Sequence, residues 1–428
     1  MNRKHFAGFT ATALAQAVLG TTFVLPSLAQ ADFFKDSKAS VELRNYYYNR
    51  DFRQASDPTP SQAKQEEWSQ GFILKYESGF TDGFVGVGVD ALAGLGLKLD
   101  SSPDRSGTGL LQRDRETGRA QDSFGDFGLT GKLRISKSVL KVGTLAPKLP
   151  VIVSNDSRTL PQTFAGGSLN SLEISGLTID AGHLTQVNQR DSQDYEDMTV
   201  ASGGKRNIRF TGGTTSDQFD YAGLGYKWND NLTTSYHYGK LEDFYAQHYL
   251  NLVHTLPIAD KQSLKSDVRY ARSTDEGTSN VDNNAFNAMF TYSLGYHALG
   301  VGYQKMSGDT GFAFINGTDP FLVNYIQIGD FANKDEKSWQ LRYDYNFAGL
   351  GIPGLTFMTR YVNGDNVDQL TNNQEGKEWE RDTDIAYVFQ EGPLKNLGVK
   401  WRNATMRSNF GNDIDENRLI VSYTMPLW

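Results

Sequence analysis

The chain has no cysteine among its 428 residues, which excludes both a disulfide framework and thiolate chemistry. Proline is scarce, at 12 residues. Beyond the N-terminus no stretch approaches the ~18 consecutive apolar residues of a membrane-spanning helix. The six histidines (His5, His183, His237, His248, His254 and His297) are scattered singly. Neither H-E-x-x-H nor G-x-S-x-G occurs, so the zinc-protease helix and the nucleophile elbow are absent. His237-Tyr238 lies in an alternating stretch and reads as a wall residue rather than a catalytic base. No metal site or other cofactor is expected, because clustered ligands are lacking. A net charge of -8 speaks against nucleic acid as a partner. What the chain has is aromatic residues (25 Phe, 21 Tyr, 6 Trp) and 43 Gly. That composition excludes disorder and favours β-structure.

The N-terminus has the layout of an export signal. Arg3 and Lys4 precede an apolar run from Phe6 to Leu28, and Ala29-Gln30-Ala31 supplies a small-x-small cleavage site. The alternative is a buried N-terminal helix. The lack of Asp and Glu, and Pro26 just before the site, favour the signal. The expected organisation is a secretory signal peptide over 1–31 and one transmembrane β-barrel over 32–428.

Apolar and polar residues alternate with period 2 from end to end. Leu419, Val421, Tyr423, Met425 and Leu427 oppose Arg418, Ile420, Ser422 and Thr424. Trp339, Leu341, Tyr343, Tyr345 and Phe347 oppose Gln340, Arg342, Asp344 and Asn346. Leu355, Phe357 and Tyr361 oppose Thr356 and Arg360, and Leu397, Val399 and Trp401 oppose Lys400 and Arg402. Short turn signals such as Trp228-Asn229-Asp230-Asn231 alternate with long polar stretches: 51–67, 101–126, 190–205, 274–284, 308–335 and 363–382. Short turns at one end and long loops at the other describe an all-β transmembrane antiparallel barrel. The parity of bacterial barrels selects about 18 strands. A TonB-type receptor would need ~22 strands and a plug. Trp428 ends the chain one residue off the register of Leu427, and a bend at Pro426 is needed to restore it.

The wet face of these strands carries Arg44, Lys132, Arg134, Arg209, Arg342, Arg360, Lys400, Arg402 and Arg418. Barrel closure should set Arg418 beside Arg44. Any one of these cations is ordinarily paired with Asp or Glu. As a group they read as a guide for anions, because Lys132 with Arg134, and Lys400 with Arg402, repeat on one face with no acid between them. Arg grips a carboxylate through two parallel donors, and shallow wells let an anion step onward. The segment Pro147-Lys148-Leu149-Pro150 to Asn155–Phe164 is too apolar for a solvated loop. Folded inward, it would set Arg158 and Asp156 at a constriction; packed outside, it would be an ordinary external loop.

Several stretches together resemble the OprD-type substrate-specific channels. They include Leu43-Arg44-Asn45-Tyr46, Glu66-Glu67-Trp68-Ser69-Gln70-Gly71-Phe72, Gly88-Val89-Asp90-Ala91 and Arg158-Thr159-Leu160-Pro161-Gln162-Thr163-Phe164. Tyr343-Asp344-Tyr345, Arg360-Tyr361 and Asn417-Arg418-Leu419-Ile420-Val421 belong with them. The resemblance implies a monomeric pore, in loose homotrimers or alone, with inward-folded loops forming an eyelet. It implies a basic ladder, carried to Arg44, Arg134, Arg158, Arg360, Lys400, Arg402 and Arg418, while Lys132, Arg209 and Arg342 rest on strand parity. It also implies an acidic contribution near the eyelet from the stretch Leu322 to Asp330. The facing of Arg381 stays open. Glu375–Arg381 and Gly392–Gly398 are similar to the branch that takes aromatic carboxylates such as benzoate or vanillate. The alternatives are a channel for basic amino acids or small peptides and their antibiotic mimics, and an outer-membrane barrel hydrolase. The expected surroundings are outer-membrane lipid and lipopolysaccharide, small carboxylate solutes and the barrel-assembly machinery.

Overall fold

The computed structural model describes residues 33–55, 62–371 and 374–428. The expected signal over 1–31 lies outside the described residues. Strands β1 (Lys38–Ala55), β2 (Lys64–Glu77), β3 (Val85–Asp100), β4 (Ser123–Ile135), β5 (Ser138–Leu145) and β6 (Thr163–Ser171) begin the wall. It continues through β7 (Leu177–Asn188), β8 (Phe219–Lys227), β9 (Leu232–Leu241), β10 (Tyr245–Ala259), β11 (Gln262–Asp275) and β12 (Asp282–Leu294). It ends with β13 (His297–Ser307), β14 (Lys337–Asn346), β15 (Leu355–Asp368), β16 (Glu375–Val388), β17 (Gly398–Ser408) and β18 (Asn412–Pro426). Each strand pairs antiparallel with the next, and β18 returns to β1, with Arg44 opposite Ser422 and Tyr48 opposite Arg418. The sheet is therefore a closed 18-stranded barrel; its nineteenth strand is the two-residue Tyr195–Glu196, which pairs with the end of β7.

Closure leaves no edge, and alternation then sorts the side chains. The outward positions of β3, β4 and β5 carry Val85, Val87, Leu95, Phe127, Leu129, Leu133, Leu140 and Val142, all exposed. An apolar band of this kind requires lipid around it. Aromatic residues rim the band at both ends: Tyr303, Trp339 and Trp68 near one, Trp228, Tyr296 and Trp428 near the other. Trp428 reaches back past Pro426: its indole donates to Ser37 Oγ at 2.9 Å and its ring lies 6.3 Å from that of outward Tyr76. These contacts set Trp428 at the rim, while the Leu427 amide donates to the Ala39 carbonyl.

The strands run further than the composition of their loops suggests. The stretches 51–67, 274–284 and 363–382 were expected as loops, yet β1, β2, β11, β12, β15 and β16 occupy much of them. Polar residues there continue the alternation beyond the apolar band, where both faces meet water. Conversely, the loop between β7 and β8 extends over 189–218, past the expected Lys205.

Candidate functional site: the lumen and its inward-folded loops

Two long connections enter the barrel. The first joins β5 to β6. Its Leu160 lies against Gly94 of β3, and a Cβ on Gly71 of β2 would stand 2.7 Å from the Thr159 carbonyl. Gly71 is what lets the loop backbone approach the wall. Ser69 Oγ meets Thr159 Oγ1 at 2.6 Å, the Tyr46 hydroxyl donates to the Ser157 carbonyl at 3.2 Å, and Arg44 donates to the Arg158 carbonyl at 2.7 Å. At its other end, Val151 packs on Gly239 of β9. The loop therefore crosses the lumen, as its apolar, Pro-rich composition indicates. The second connection joins β13 to β14. Glu380 of β16 accepts from the Ile328 and Gly329 amides at 2.9 and 2.7 Å. Gln327 donates to Glu416 at 3.0 Å and its carbonyl accepts from Arg418 at 2.9 Å.

The basic residues of β14–β18 and β1 share the inner wall. Arg342 is the cross-strand partner of Arg360, and Arg402 of Arg418. Arg418 is not beside Arg44. It faces Tyr48, four residues along β1, which is ~13 Å at the usual rise per residue. Arg50 guanidinium carbon stands 5.5 Å, that of Arg158 5.2 Å and that of Arg418 5.0 Å from the Tyr48 ring centroid. The Tyr48 hydroxyl donates to Glu416 at 2.5 Å.

Most of these cations are paired, contrary to the expected acid-free rows. Asp384 holds both Lys400 (3.0 Å) and Arg402 (3.1 Å). Arg360 binds Asp382 at 2.7 Å, Arg342 binds Asp344 at 2.7 Å, Arg418 binds Glu416 at 2.5 Å and Arg50 binds Glu416 at 2.7 Å. Arg44 binds Glu42 at 2.8 Å and Asp156 at 2.7 Å. Apart from Asp156, which comes from the crossing loop, the acids come from the neighbouring strand or from two residues along the same strand. Lys132 is also corrected. It is buried, binds Asp90 at 2.5 Å and donates to the Ser78 carbonyl at 2.7 Å, and Asp90 binds Lys141 as well. It ties down the β2–β3 turn. Arg134, at the end of β4, covers the Phe80 ring at 4.4 Å. Arg209 does not lie on a strand; it is exposed in the β7–β8 loop and donates to Asn207 at 2.9 Å. Arg206 takes the buried position instead and pairs with Asp330.

Arg158 differs from the rest. Its guanidinium donates to the Thr108 carbonyl and to Ser157, each at 3.0 Å, and forms no ion pair with a carboxylate among the described residues. Burial and the nearby charges of Arg418 and Arg190 lower its pKa to about 10, so it remains a cation at neutral pH. Arg190, from the β7–β8 loop, donates to the same Ser157 Oγ at 2.9 Å and to Asn155 at 3.0 Å. The two free guanidinium groups therefore converge on one serine of the crossing loop. Nearby, Asp319 pairs with Asn155 and accepts from the Tyr325 hydroxyl at 2.7 Å; burial raises its carboxyl pKa. Sequence reading missed Tyr48, Arg50, Arg190 and Arg206. It also missed the acids of β16, although Glu378, Glu380, Asp382 and Asp384 recur with period 2. Arg381 falls on the outward face of that strand, opposite Tyr361.

A closed, lipid-rimmed barrel narrowed by loops held to its wet inner wall is a substrate-specific porin of the outer membrane. The chain belongs to the OprD family of outer membrane porins, whose family model matches residues 31–427. It is 38% identical to Porin D of Pseudomonas aeruginosa over 98% of this chain and 97% of that one. The crystal structure of Pseudomonas aeruginosa OpdQ superposes with a TM-score of 0.86 at 72% identity, covering 93% of this chain and all of that one. Pseudomonas aeruginosa OpdK, solved with vanillate, superposes with a TM-score of 0.83 at 39% identity, covering 92% of this chain and all of that one. These relatives are channels, not enzymes, which removes the hydrolase alternative.

Proposed function

We propose that the barrel passes small carboxylates by passive diffusion, and that aromatic acids such as benzoate or vanillate are its preferred solutes. The observation that carries this is the meeting of Arg158 and Arg190, neither in an ion pair among the described residues, at Ser157 of the crossing loop. An anion entering there finds two donors that need not first release an acid. The paired cations Arg44, Arg342, Arg360, Lys400, Arg402 and Arg418 form a milder approach, since their acids already take part of their donor capacity. In a watery pore each contact is worth about 1 kcal/mol, which attracts without trapping. The vanillate in OpdK supports an aromatic acid as the solute. Asp156 and Asp330, both engaged by arginines, act as counter-charges that hold Arg44 and Arg206 in place.

The competing reading is a channel for basic amino acids, in which Asp319 beside Arg190 would receive the solute's cationic end. Reversal potentials and single-channel block in planar bilayers, with vanillate, benzoate or arginine on one side, separate the two. Entry of the aromatic acids, reduced in Arg158→Ala and in Arg190→Ala, supports the carboxylate reading. Faster passage of arginine than of benzoate would replace it with the other. Removal of residues 1–31 on export, insertion by the barrel-assembly machinery and a loose homotrimer belong to the same proposal.

A further inference from the structure

Some cations face away from the lumen. On the outer face of β13–β16, Lys305, Lys337 and Arg381 stand among Tyr303, Trp339, Tyr361 and Trp379. Lys305 is the cross-strand partner of Lys337, one same-face step beyond the Tyr303–Trp339 pair. Arg381 is the partner of Tyr361, whose ring lies 5.6 Å from Trp339 and 5.7 Å from Trp379. None of the three cations has an ion pair among the described residues. Their outward neighbours Lys377 and Arg407 do, with Glu375 at 3.2 Å and Asp415 at 2.9 Å. Two carboxylates stand near Lys337: Asp365, its cross-strand partner, and Glu375, which already pairs with Lys377 and also feels the Lys337 charge.

The position matters because the lipid face of a barrel does not tolerate unmatched charge except near its interfaces. The aromatic row marks such an interface, and it lies at the end with the long loops, toward the outer leaflet. The outer faces of β3–β5 carry Val, Leu and Phe in this band, and outward cations on other strands, such as Lys64 and Arg272, are held in ion pairs with Glu66 and Asp282. Lys305 and Lys337 lie just beyond the aromatic row and Arg381 one same-face step inside it, level with Tyr361, a spread that suits a ligand with two phosphates at the row and acyl chains below.

We propose that Lys305, Lys337 and Arg381 form a binding site on the outer wall for a phosphorylated glycolipid of the outer leaflet. Its phosphates meet the three cations, and its chains lie along the apolar band beneath Trp339 and Tyr361. The site lies outside the lumen and does not depend on which solute passes.

The test uses the delipidated full-length barrel in detergent and bisphosphorylated lipid A as probe, with native mass spectrometry as readout. Each cation beside a charged lipid is worth roughly fivefold. The variant K305Q/K337Q/R381Q should therefore bind ~100-fold more weakly while keeping wild-type conductance and a heat-modifiable folded band. If the triple variant does not fold, each single variant should lose roughly fivefold. Dephosphorylated lipid A should bind no better to wild type than to the variant. Equal retention of bisphosphorylated lipid A by both proteins would overturn the site. So would equal binding of inorganic phosphate alone, which would make it a free-anion site. Cross-linking of a second barrel through Lys305→Cys would instead make the patch a protein interface and overturn the lipid site.

Discussion

Arg158 and Arg360 are both lumen arginines, yet removing them should have opposite signatures. Arg158 has no acid to abandon, so Arg158→Ala takes away an anion contact and leaves no stranded charge. Benzoate permeability should fall roughly fivefold, the value of ~1 kcal/mol, while the heat-modifiable gel shift of the folded barrel stays where it was. Arg360 pairs with Asp382, whose side chain is fully buried. Arg360→Ala leaves that carboxylate without its partner, a loss of about 3–5 kcal/mol in buried pairs. The unfolding midpoint should drop clearly, and Arg360→Ala with Asp382→Asn should recover much of it. Equal midpoints for Arg360→Ala and wild type would show that water reaches Asp382. The difference between the two arginines could not be read from strand parity. Parity tells which face a residue takes. It is silent on what stands across the gap, because Asp382 and Asp384 come from β16 while their cations sit on β15 and β17.

At the scale of elements, the constriction depends on how the loops are fastened. The β5–β6 loop rests on Gly71 and Gly94, positions where any side chain would displace it. Gly71→Val should push Thr159 off β2 and raise single-channel conductance, with a stability loss of about 1–3 kcal/mol for the overpacking. Unchanged conductance would mean that this loop does not set the bore. The β13–β14 loop ends at Glu336, which accepts from the Asn333 amide at 3.0 Å and its side chain at 2.8 Å and lies against Glu378 and Asp330. Burial raises Glu336 from the usual 4.5 to about 7. A folded value above the unfolded one means that the contribution to stability is complete below about pH 4.5 and is lost as pH rises through about 7. Open-channel noise should therefore increase between pH 5 and 8, and Glu336→Gln, which cannot ionise, should keep it flat. The strands were legible because a closed wall with lipid on one side and water on the other enforces period 2. The inward fold of the β5–β6 loop was legible from its proline and apolar content. The landing points on Gly71, Gly94 and Gly239 were not, because each joins residues far apart in sequence through the barrel's curvature. Arg209 was misplaced for a related reason: a few alternating residues in a long loop look like the end of a strand.

For the whole molecule, the distribution of charge decides how the channel treats ions. The chain is acidic, at -8, yet its inner wall carries many cations. The Arg–carboxylate pairs on that wall act as local dipoles, and their fields cancel within a few ångströms. Arg158 and Arg190 form no ion pair among the described residues, so theirs are the fields that reach across the constriction. Salt reaches a distant field more easily than a direct contact. The screening length is about 10 Å at 0.1 M and about 3 Å at 1 M. If the two free guanidinium groups set selectivity at a distance, chloride should be preferred over potassium at 0.1 M and the preference should approach unity at 1 M. The double variant Arg158→Ala/Arg190→Ala should be nearly indifferent to ions at both concentrations, whereas Arg402→Ala should retain most of the salt dependence, because Lys400 continues to hold Asp384. A chloride preference undiminished at 1 M would show that anions are selected by contact along the paired wall, and it would move the selective step from the eyelet to the ladder.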